Sequence, residues 1–243
     1  MKQLSIRAIF FDAGNTLLFP RVEELAEDLT AEGHPATVED FYAAERSGKH
    51  KLDEWLWPKI HSGERPQKVD YVYWAEYLRA LMERLHAPAA QRERLTHRLV
   101  ERFKDIQFWS RVLPETAPYL EALRARGFYL GVISNSIGTI EEQLRRVELA
   151  RYFHTILDSA IVGVEKPDAR IFDMALARAG VKASDAVFVG DVHAMDVGGA
   201  RSAGLLGVLM DRVGAYTNPD CPRIISLPEL EQVLNSASPP CIG

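Results

Sequence analysis

The sequence contains little cysteine and no long apolar run. Its 243 residues hold 2 cysteines, Cys221 and Cys241, which are too few and too close to the C-terminus for a disulfide framework. No stretch approaches the ~20 apolar residues that cross a bilayer, and the start MKQLSIRAIFF lacks the apolar length of a signal peptide. We therefore predict a cytoplasmic protein without a membrane partner.

Clustered positive charge is also missing. The formal net charge is −5 and no long basic run occurs, which argues against nucleic acid as a partner because phosphate backbones require a clustered positive surface. Apolar content of 47% and charged content of 26% are ordinary for a globular protein. The length suits one large domain or a core with an insertion, and the oligomeric state stays open.

The chain changes character after its first strand. Residues 4–18 are typical of a strand and its exit, whereas residues 20 to about 108 contain almost nothing strand-like. Apolar residues at three- and four-residue steps predict helices there, over 21–32, 38–47, 69–86 and 89–105. The intervening segment 47–67 contains four glycine or proline breaks, which predict short helices or loop.

From residue 113 the pattern alternates between helix and strand. A helix is predicted over 114–127, and the continuous apolar runs that follow predict parallel strands buried on both faces, at FYLGVIS, SAIVG, AVFVG and LLGVLM. We therefore predict an α/β protein with a Rossmann-like parallel sheet. Its core comprises residues 1–18 and 110–243, and a helical domain, residues 19–109, is inserted after strand 1.

Polar side chains follow four of the predicted strands. Asp12 ends the first strand, Ser134 and Asn135 end the second, Lys166 follows the third, and Asp191 ends the fourth with Asp196 five residues on. Ligands of open parallel sheets bind beyond the carboxyl ends of the strands. Any one of these residues alone is most simply a solvated turn residue, but their agreement at four strand ends predicts a site.

Carboxylates that converge repel one another unless a cation joins them. Oxygen ligands of this kind suit Mg²⁺, which keeps waters and accepts a phosphate oxygen. An aspartate can also attack phosphorus and form an aspartyl-phosphate, while a lysine neutralises phosphoryl charge. The residue types therefore indicate phosphoryl transfer.

Four motifs in this order resemble those of the haloacid dehalogenase-like hydrolase superfamily, in the branch with a helical cap after the first strand. They are IFFDAGNTL, GVISNS, VGVEKPDARIF and VFVGDVHAMDVGGARSAG. The resemblance implies that Asp12 is the nucleophile and that Ser134, with backbone at Asn135, binds the phosphoryl group. It implies that Lys166 bridges the nucleophile and the phosphate, and that Thr16 braces the first loop.

The resemblance also implies a Mg²⁺ site, and it exposes a departure. The ligands would be Asp12, the backbone carbonyl of Gly14, Asp191 and Asp196. Most phosphatases of the family carry a second aspartate where this chain has Gly14, and a glycine where it has Asn15. The lost function is proton transfer, which is typically worth about 10²–10⁴-fold in rate.

Three explanations for Gly14 stay open. A substitute acid comes from elsewhere, the substrate has a leaving group that needs no acid, or the protein binds phosphorylated ligands without turning them over. The candidate substitutes are one histidine in the fourth motif and three residues of the insertion, namely His193, His50, Lys51 and Glu45. For His193 we favour a solvent-facing residue at a helix start.

A 2-haloacid dehalogenase is the remaining alternative, because halide leaves without a proton. That branch usually has an aromatic residue at the position of Gly14 and lacks the aspartate pair of GDVHAMD. The intact pair favours a Mg²⁺-dependent hydrolase of a small phosphorylated metabolite.

Two features of the inserted segment bear on its role. The aromatic residues are expected to form its core rather than a pocket, and they include Trp55, Trp57, Trp74, Tyr71, Tyr73 and Tyr77. The basic run RSGKHK, residues 46–51, is expected to be a solvated loop, with binding of an anionic substrate tail as the alternative.

Overall fold

The architecture is an open parallel sheet flanked by helices. The computed structural model describes residues 6–63 and 71–237. Its six described strands are all parallel and lie in the order β3-β2-β1-β4-β5-β6. They are β1 (Ala8–Phe11), β2 (Tyr129–Ser134), β3 (Thr155–Asp158), β4 (Ala186–Gly190), β5 (Leu206–Met210) and β6 (Arg223–Ile224). The predicted α/β class with a Rossmann-like sheet is confirmed.

Helices cover both faces of the sheet and fill the segment between β1 and β2. Before β2 they are α1 (Val22–Ala31), α2 (Val38–Ser62), α3 (Tyr71–Arg84), α4 (Ala89–Lys104) and α5 (Thr116–Ala125). After β2 they are α6 (Ile140–Arg146), α7 (Ser159–Val162), α8 (Ala169–Ala179), α9 (Gly199–Ser202) and α10 (Leu230–Ala237). A π-helical turn, His193–Gly198, leads into α9.

The sheet is buried on both faces, as its apolar strands require. The central strands β1 and β4 are buried along their whole length. One face packs against α5, α6 and α10, and the other packs against α8 and α9. This burial fixes the strands, and with them the residues that follow their carboxyl ends.

Helices α1 to α4, which we call the helical insertion, have a hydrophobic cluster of their own. This cluster also takes in Val192, Ala194 and Met195 from the loop after β4, so the insertion packs directly on the carboxyl edge of the sheet. The two connections of the insertion to the core lie side by side, because Phe19 and Arg111 exchange backbone hydrogen bonds of 2.8 and 3.1 Å.

The prediction of a broken segment over 47–67 is wrong for the part that the structure describes. Helix α2 continues without interruption to Ser62, with Gly48 and Pro58 inside it, and ends at Gly63 in a left-handed conformation. Gly48 lies there because the Tyr77 ring packs 2.5 Å from the place where a Cβ would be. The remaining positions of that prediction, from residue 64, lie outside the described residues.

The predicted strand SAIVG is also wrong. Ser159–Val162 forms a single helical turn, α7, because the carboxylate of Asp158 caps the amide of Ala160 and Gly163 ends the turn with φ of 73°. The strand is the preceding segment, Thr155–Asp158. Sequence patterns also missed β6, which has only two residues. Within the described residues, no helix is both long enough and apolar enough to cross a bilayer.

Candidate active site

Three carboxylates meet at the carboxyl edge of the sheet. Asp12 follows β1, Asp191 follows β4, and Asp196 lies in the π-helical turn. Each offers an oxygen atom, and these three atoms lie within 4.8 Å of one another. All three side chains are buried. The residues of this carboxylate cluster are therefore not solvated turn residues.

Lys166 crosses the cluster and joins two of its members. Its Nζ lies 2.6 Å from Asp12 Oδ1 and 2.7 Å from Asp196 Oδ1, with the lysine side chain 2% exposed. Asn135 fixes the backbone of this lysine from the end of β2. Its Oδ1 accepts a hydrogen bond from the Lys166 amide, and its Nδ2 donates one to the Lys166 carbonyl. Residues that follow all four of the predicted strands are therefore linked directly, since Lys166 contacts Asp12, Asn135 and Asp196.

Burial and mutual repulsion weaken the acids of the cluster. Burial raises the pKa of Asp12 to about 7, against the charge of Lys166, which lowers it. Burial also raises the pKa of Asp191 to about 6. For Lys166 burial works in the opposite direction, but the charges of Asp12 and Asp196 outweigh it and raise its pKa. Further positive charge at this place would stabilise the ionised carboxylates.

The donor set of the cluster fits a hard divalent cation. Asp12, Asp191 and Asp196 offer only oxygen, they converge within 4.8 Å, and Lys166 balances one of their three negative charges. Oxygen ligands, few of them from protein, are what Mg²⁺ takes when it keeps waters and binds a substrate phosphate. The residues present therefore fit the predicted metal.

Two hydroxyl-bearing residues of the predicted site lie at or after the ends of the neighbouring strands β1 and β2. Ser134 is the last residue of β2, next to β1 in the sheet, and is buried. Thr16 is fully buried, and its Oγ1 has no hydrogen-bond partner within the part of the chain that the structure describes. In the first loop the backbone amide of Thr16 donates a 3.4 Å hydrogen bond to the Ala13 carbonyl.

An indole occupies the space beside Gly14. A Cβ added at Gly14 would lie 3.4 Å from Cζ3 of Trp109 and 3.7 Å from its Cη2. The indole is held in place by a 3.1 Å hydrogen bond from its Nε1 to the Phe103 carbonyl. The next residue, Asn15, has φ of +52°, a conformation that explains why a glycine suits this position. The space beside Gly14, where an aspartate side chain would begin, is therefore lined by the apolar ring of Trp109.

A lysine that the sequence analysis did not select reaches the cluster from the insertion. Nζ of Lys49, on α2, lies 2.9 Å from Asp191 Oδ2 and 3.1 Å from Glu45 Oε1. The Lys49 side chain is 2% exposed. Burial alone lowers its pKa, but the charges of Asp191 and Glu45 outweigh that effect and raise it well above the usual value. The expectation of a solvated loop over residues 46–51 is wrong.

The proposed substitute acids fall in different places. His193 is not solvent-facing, because its Nε2 lies 2.9 Å from Asp220 Oδ1 and its ring packs on Trp57. His50 hydrogen-bonds through Nε2 to the Ala215 carbonyl.

Lys51 is on the exposed side of α2 and pairs with Glu54. Of the four candidates, Glu45 is linked to the carboxylate cluster, because it forms an ion pair with Lys49, which also contacts Asp191.

The aromatic residues of the insertion pack within its core, as expected. Trp55, Trp57 and Trp74 are partly buried against its hydrophobic cluster, and Tyr77 is a buried member of it. The side chains of Tyr71 and Tyr73 lie outside the described residues.

Asp53 clamps the insertion to the loop that carries Asp191 and Asp196. Its Oδ1 accepts a 2.7 Å hydrogen bond from the Ala194 amide, two residues before Asp196. We expect Asp53→Ala to lower the free energy of unfolding by about 1–3 kcal/mol, because the buried amide loses its acceptor. Urea denaturation measures the change.

The matched variants separate this hydrogen bond from general effects on α2. Asp53→Asn keeps an acceptor oxygen and should retain most of the stability, and Glu54→Ala changes an exposed neighbour and should be neutral. Equal losses in Asp53→Ala and Glu54→Ala would contradict the clamp.

Comparison with known proteins places the chain among related sequences. A family model described as haloacid dehalogenase-like hydrolase matches residues 6–204. The chain is 32% identical to the phosphoserine phosphatase of Thermus thermophilus over 93% of its own length and 90% of the relative's. It is 30% identical to the glyceraldehyde 3-phosphate phosphatase of Methanopyrus kandleri, over 93% and 92%.

Solved structures give the same architecture with two kinds of activity. A HAD phosphatase from Thermococcus onnurineus aligns with a TM-score of 0.59 and 25% identity, over 95% of this chain and 98% of that one. A dehalogenase with an intermediate complex aligns with a TM-score of 0.62 and 26% identity, over 95% and 97%. The overall fold alone therefore does not separate the two activities.

Proposed function

The chain belongs to the haloacid dehalogenase-like hydrolase family, and we propose that it is a Mg²⁺-dependent phosphatase of small phosphorylated metabolites that works through an aspartyl-phosphate on Asp12. The observation that carries this proposal is the cluster of Asp12, Asp191 and Asp196 around the ammonium of Lys166. The relatives that are phosphatases by name support the substrate class.

In the proposed mechanism Asp12 attacks phosphorus, and water then hydrolyses the aspartyl-phosphate. Lys166 holds the attacking carboxylate in place and neutralises phosphoryl charge. Ser134 and the backbone at Asn135 bind the phosphoryl oxygens. Bound Mg²⁺ would be held by Asp12, Asp191, Asp196 and the carbonyl of Gly14, and would supply further positive charge for the phosphoryl group.

The carboxylates distinguish this proposal from a dehalogenase. Displacement of halide by Asp12 uses one carboxylate and needs no cation. Here Asp191 and Asp196 add two buried carboxylates beside it, an all-oxygen donor set that suits a divalent cation and that halide displacement does not use. Gly14 also lacks the aromatic side chain expected of that branch.

The helical insertion is proposed to act as a cap that closes over the site and excludes water. Its contact with the loop after β4 supports this role, as do its two adjacent connections at Phe19 and Arg111. The proposed boundaries are residues 19–109 for the cap, with residues 1–18 and 110–243 for the core.

The experiment that tests the function is a series of phosphate esters with falling leaving-group pKa. Hydrolysis of an alkyl phosphate, p-nitrophenyl phosphate and acetyl phosphate is measured with Mg²⁺ and with chelator. We expect rates that depend on Mg²⁺ throughout the series. Absence of turnover with every ester, or turnover of 2-chloropropionate instead, would contradict the proposal.

Restoring the family's aspartate should require a second change. A Cβ at position 14 makes van der Waals contact with the Trp109 indole, 3.4 Å from its Cζ3, so the aspartate carboxylate would have to share the remaining space with this ring. We expect no gain in alkyl phosphate hydrolysis for Gly14→Asp alone. Gly14→Asp combined with Trp109→Ala should gain about 10²-fold, the low end of general acid catalysis.

Steady-state kinetics checks this prediction, with Gly14→Ala and Trp109→Ala as controls that add no acid. A full gain in Gly14→Asp alone would show that the indole is not a barrier.

A further inference from the structure

A second group of metal-binding side chains lies outside the carboxylate cluster. A ring nitrogen of His193, a carboxylate oxygen of Asp220 and the sulfur of Cys221 all lie within 4.8 Å of one another. We call these three residues the mixed-ligand cluster. His193 begins the π-helical turn, whereas Asp220 and Cys221 lie just before β6. The proposed phosphatase mechanism uses none of them.

The imidazole and the carboxylate of this cluster are held in place by their neighbours. Nε2 of His193 lies 2.9 Å from Asp220 Oδ1, and the imidazole packs against Trp57 and Tyr216, with ring centroids 5.0 and 5.6 Å away. The other carboxylate oxygen, Oδ2, accepts a 2.9 Å hydrogen bond from Arg201. Two ligands that share a zinc ion through bonds of about 2.0–2.2 Å lie only slightly further apart. The pair therefore needs little rearrangement to bind one ion.

An ion pair accounts for two members of the cluster but not for the thiol. Cys221 is half-buried, and burial raises the pKa of its thiol to about 11. A metal ion that binds the sulfur displaces this proton. The thiolate and the Asp220 carboxylate then balance the charge of a divalent ion, while Arg201 keeps its hydrogen bond to Oδ2.

The donor set also selects the kind of metal. Imidazole and thiolate ligands suit zinc, whereas Mg²⁺ prefers oxygen ligands alone. Three protein ligands leave a fourth position for water, and the Asp220 side chain, 68% exposed, lies open to solvent.

We propose that His193, Asp220 and Cys221 bind one Zn²⁺ ion, at a site whose ligands are distinct from those of the carboxylate cluster. On binding, a bond forms between zinc and the Cys221 sulfur, and the thiol proton passes to solvent. The nitrogen and the carboxylate oxygen complete the protein ligands.

A zinc ion at this place joins two segments of the core. His193 follows Asp191 by two residues and precedes Asp196 by three, so the ion restrains the loop that carries both carboxylates and ties it to the segment before β6. Because the ion binds the folded chain, Zn²⁺ should raise the thermal midpoint of the protein. With Mg²⁺ in excess, the rise should be absent in Cys221→Ser.

Cobalt titration tests the site, because Co²⁺ binds to zinc sites and its bond to a thiolate gives a charge-transfer band in the near ultraviolet. The full-length protein is titrated in excess Mg²⁺, which competes for the carboxylate cluster. We expect the band to saturate at a single equivalent of Co²⁺ and to disappear when Zn²⁺ is added. A site with oxygen ligands alone gives no such band, so the signal reports on sulfur.

Matched variants identify the ligands. Cys221→Ser should lose the band, whereas Cys241→Ser, which removes the other cysteine of the chain, should keep it. Asp220→Asn, an exposed change, should weaken Co²⁺ binding by at least about tenfold, since even residues outside the ligand set contribute about 10–100-fold. Asp173→Asn, at another exposed position, should bind Co²⁺ as the wild type does, and circular dichroism reports on the folding of each variant.

Four results would overturn the assignment. They are absence of the band in the wild type, its persistence in Cys221→Ser, its loss in Cys241→Ser, and unchanged affinity in Asp220→Asn. The titration requires no phosphate turnover, so the zinc site and the proposed phosphatase function are tested separately.

Discussion

Asp12→Asn is expected to abolish phosphatase activity, with a loss of at least about 10³-fold on every ester, as loss of a catalytic nucleophile does elsewhere. An amide oxygen is too weak a nucleophile to attack phosphorus, so even the esters with good leaving groups should not react. The substitution preserves shape, and it removes a charge whose burial raises the pKa of Asp12 to about 7. The variant should therefore fold normally.

Control measurements make the loss specific. Asp173→Asn changes an exposed aspartate on α8 and should keep the wild-type rate. Circular dichroism and the thermal midpoint of Asp12→Asn should match those of the wild type. Turnover by Asp12→Asn above a few per cent of the wild-type rate would remove Asp12 from the mechanism.

Lys166→Met is expected to have the largest effect on stability. Lys166 is 1% exposed and carries the ion pairs to Asp12 and Asp196. Its loss leaves buried carboxylates facing one another without that counter-charge, which costs about 3–5 kcal/mol. Chemical denaturation in the presence of chelator measures the loss in the free energy of unfolding. Phosphatase assays should show that phosphate hydrolysis is lost as well.

Two comparisons test whether Lys166 stabilises the protein through its charge. One is the effect of added Mg²⁺ on the stability of Lys166→Met, and the other is the substitution of an exposed lysine. Added Mg²⁺ should stabilise Lys166→Met more than it stabilises the wild type, because the variant lacks positive charge at this place. Lys182→Met, at an exposed position, should leave the stability nearly unchanged. A loss of less than about 1 kcal/mol in Lys166→Met would be typical of exposed ion pairs. It would contradict the claim that Lys166 stabilises the buried carboxylates.

The sheet and its strand-end residues were predictable because each signal was local. Continuous apolar runs marked β1, β2, β4 and β5, and the rule that ligands bind at carboxyl ends singled out the residues that follow them. The structure brings Asp12, Asp191, Asp196 and Lys166 together at that edge. Their separation along the chain did not matter, because parallel strands end at the same edge.

The contribution of α2 was missed because glycine and proline were taken as breaks. Gly48 serves instead for the close approach of Tyr77. A helical pattern was nevertheless present in the sequence, since Glu45, Lys49 and Asp53 follow one another at four-residue steps. This spacing places them on one face of a helix, and that face meets the loop after β4.

The error at SAIVG has a different origin. Four apolar or small residues are consistent with either a strand or a turn of helix, and periodicity alone does not separate them. The carboxylate of Asp158 decides the outcome, because it accepts hydrogen bonds from the amides of Gly138, Ile140 and Ala160. The partners at Gly138 and Ile140 lie 20 and 18 residues away along the chain and leave no local signal, whereas the cap of Ala160 is local, and an aspartate directly before SAIV was the signal that indicated a helix start.

Chemical trapping of the covalent intermediate tests the central claim most directly. The protein is quenched during turnover of acetyl phosphate with Mg²⁺ and then treated with borohydride, which reduces an acyl phosphate to an alcohol. Peptide mass spectrometry should find homoserine at position 12 after turnover and aspartate without substrate. Rapid Mg²⁺-dependent turnover with Asp12 unmodified, or with homoserine at another aspartate, would contradict an aspartyl-phosphate on Asp12.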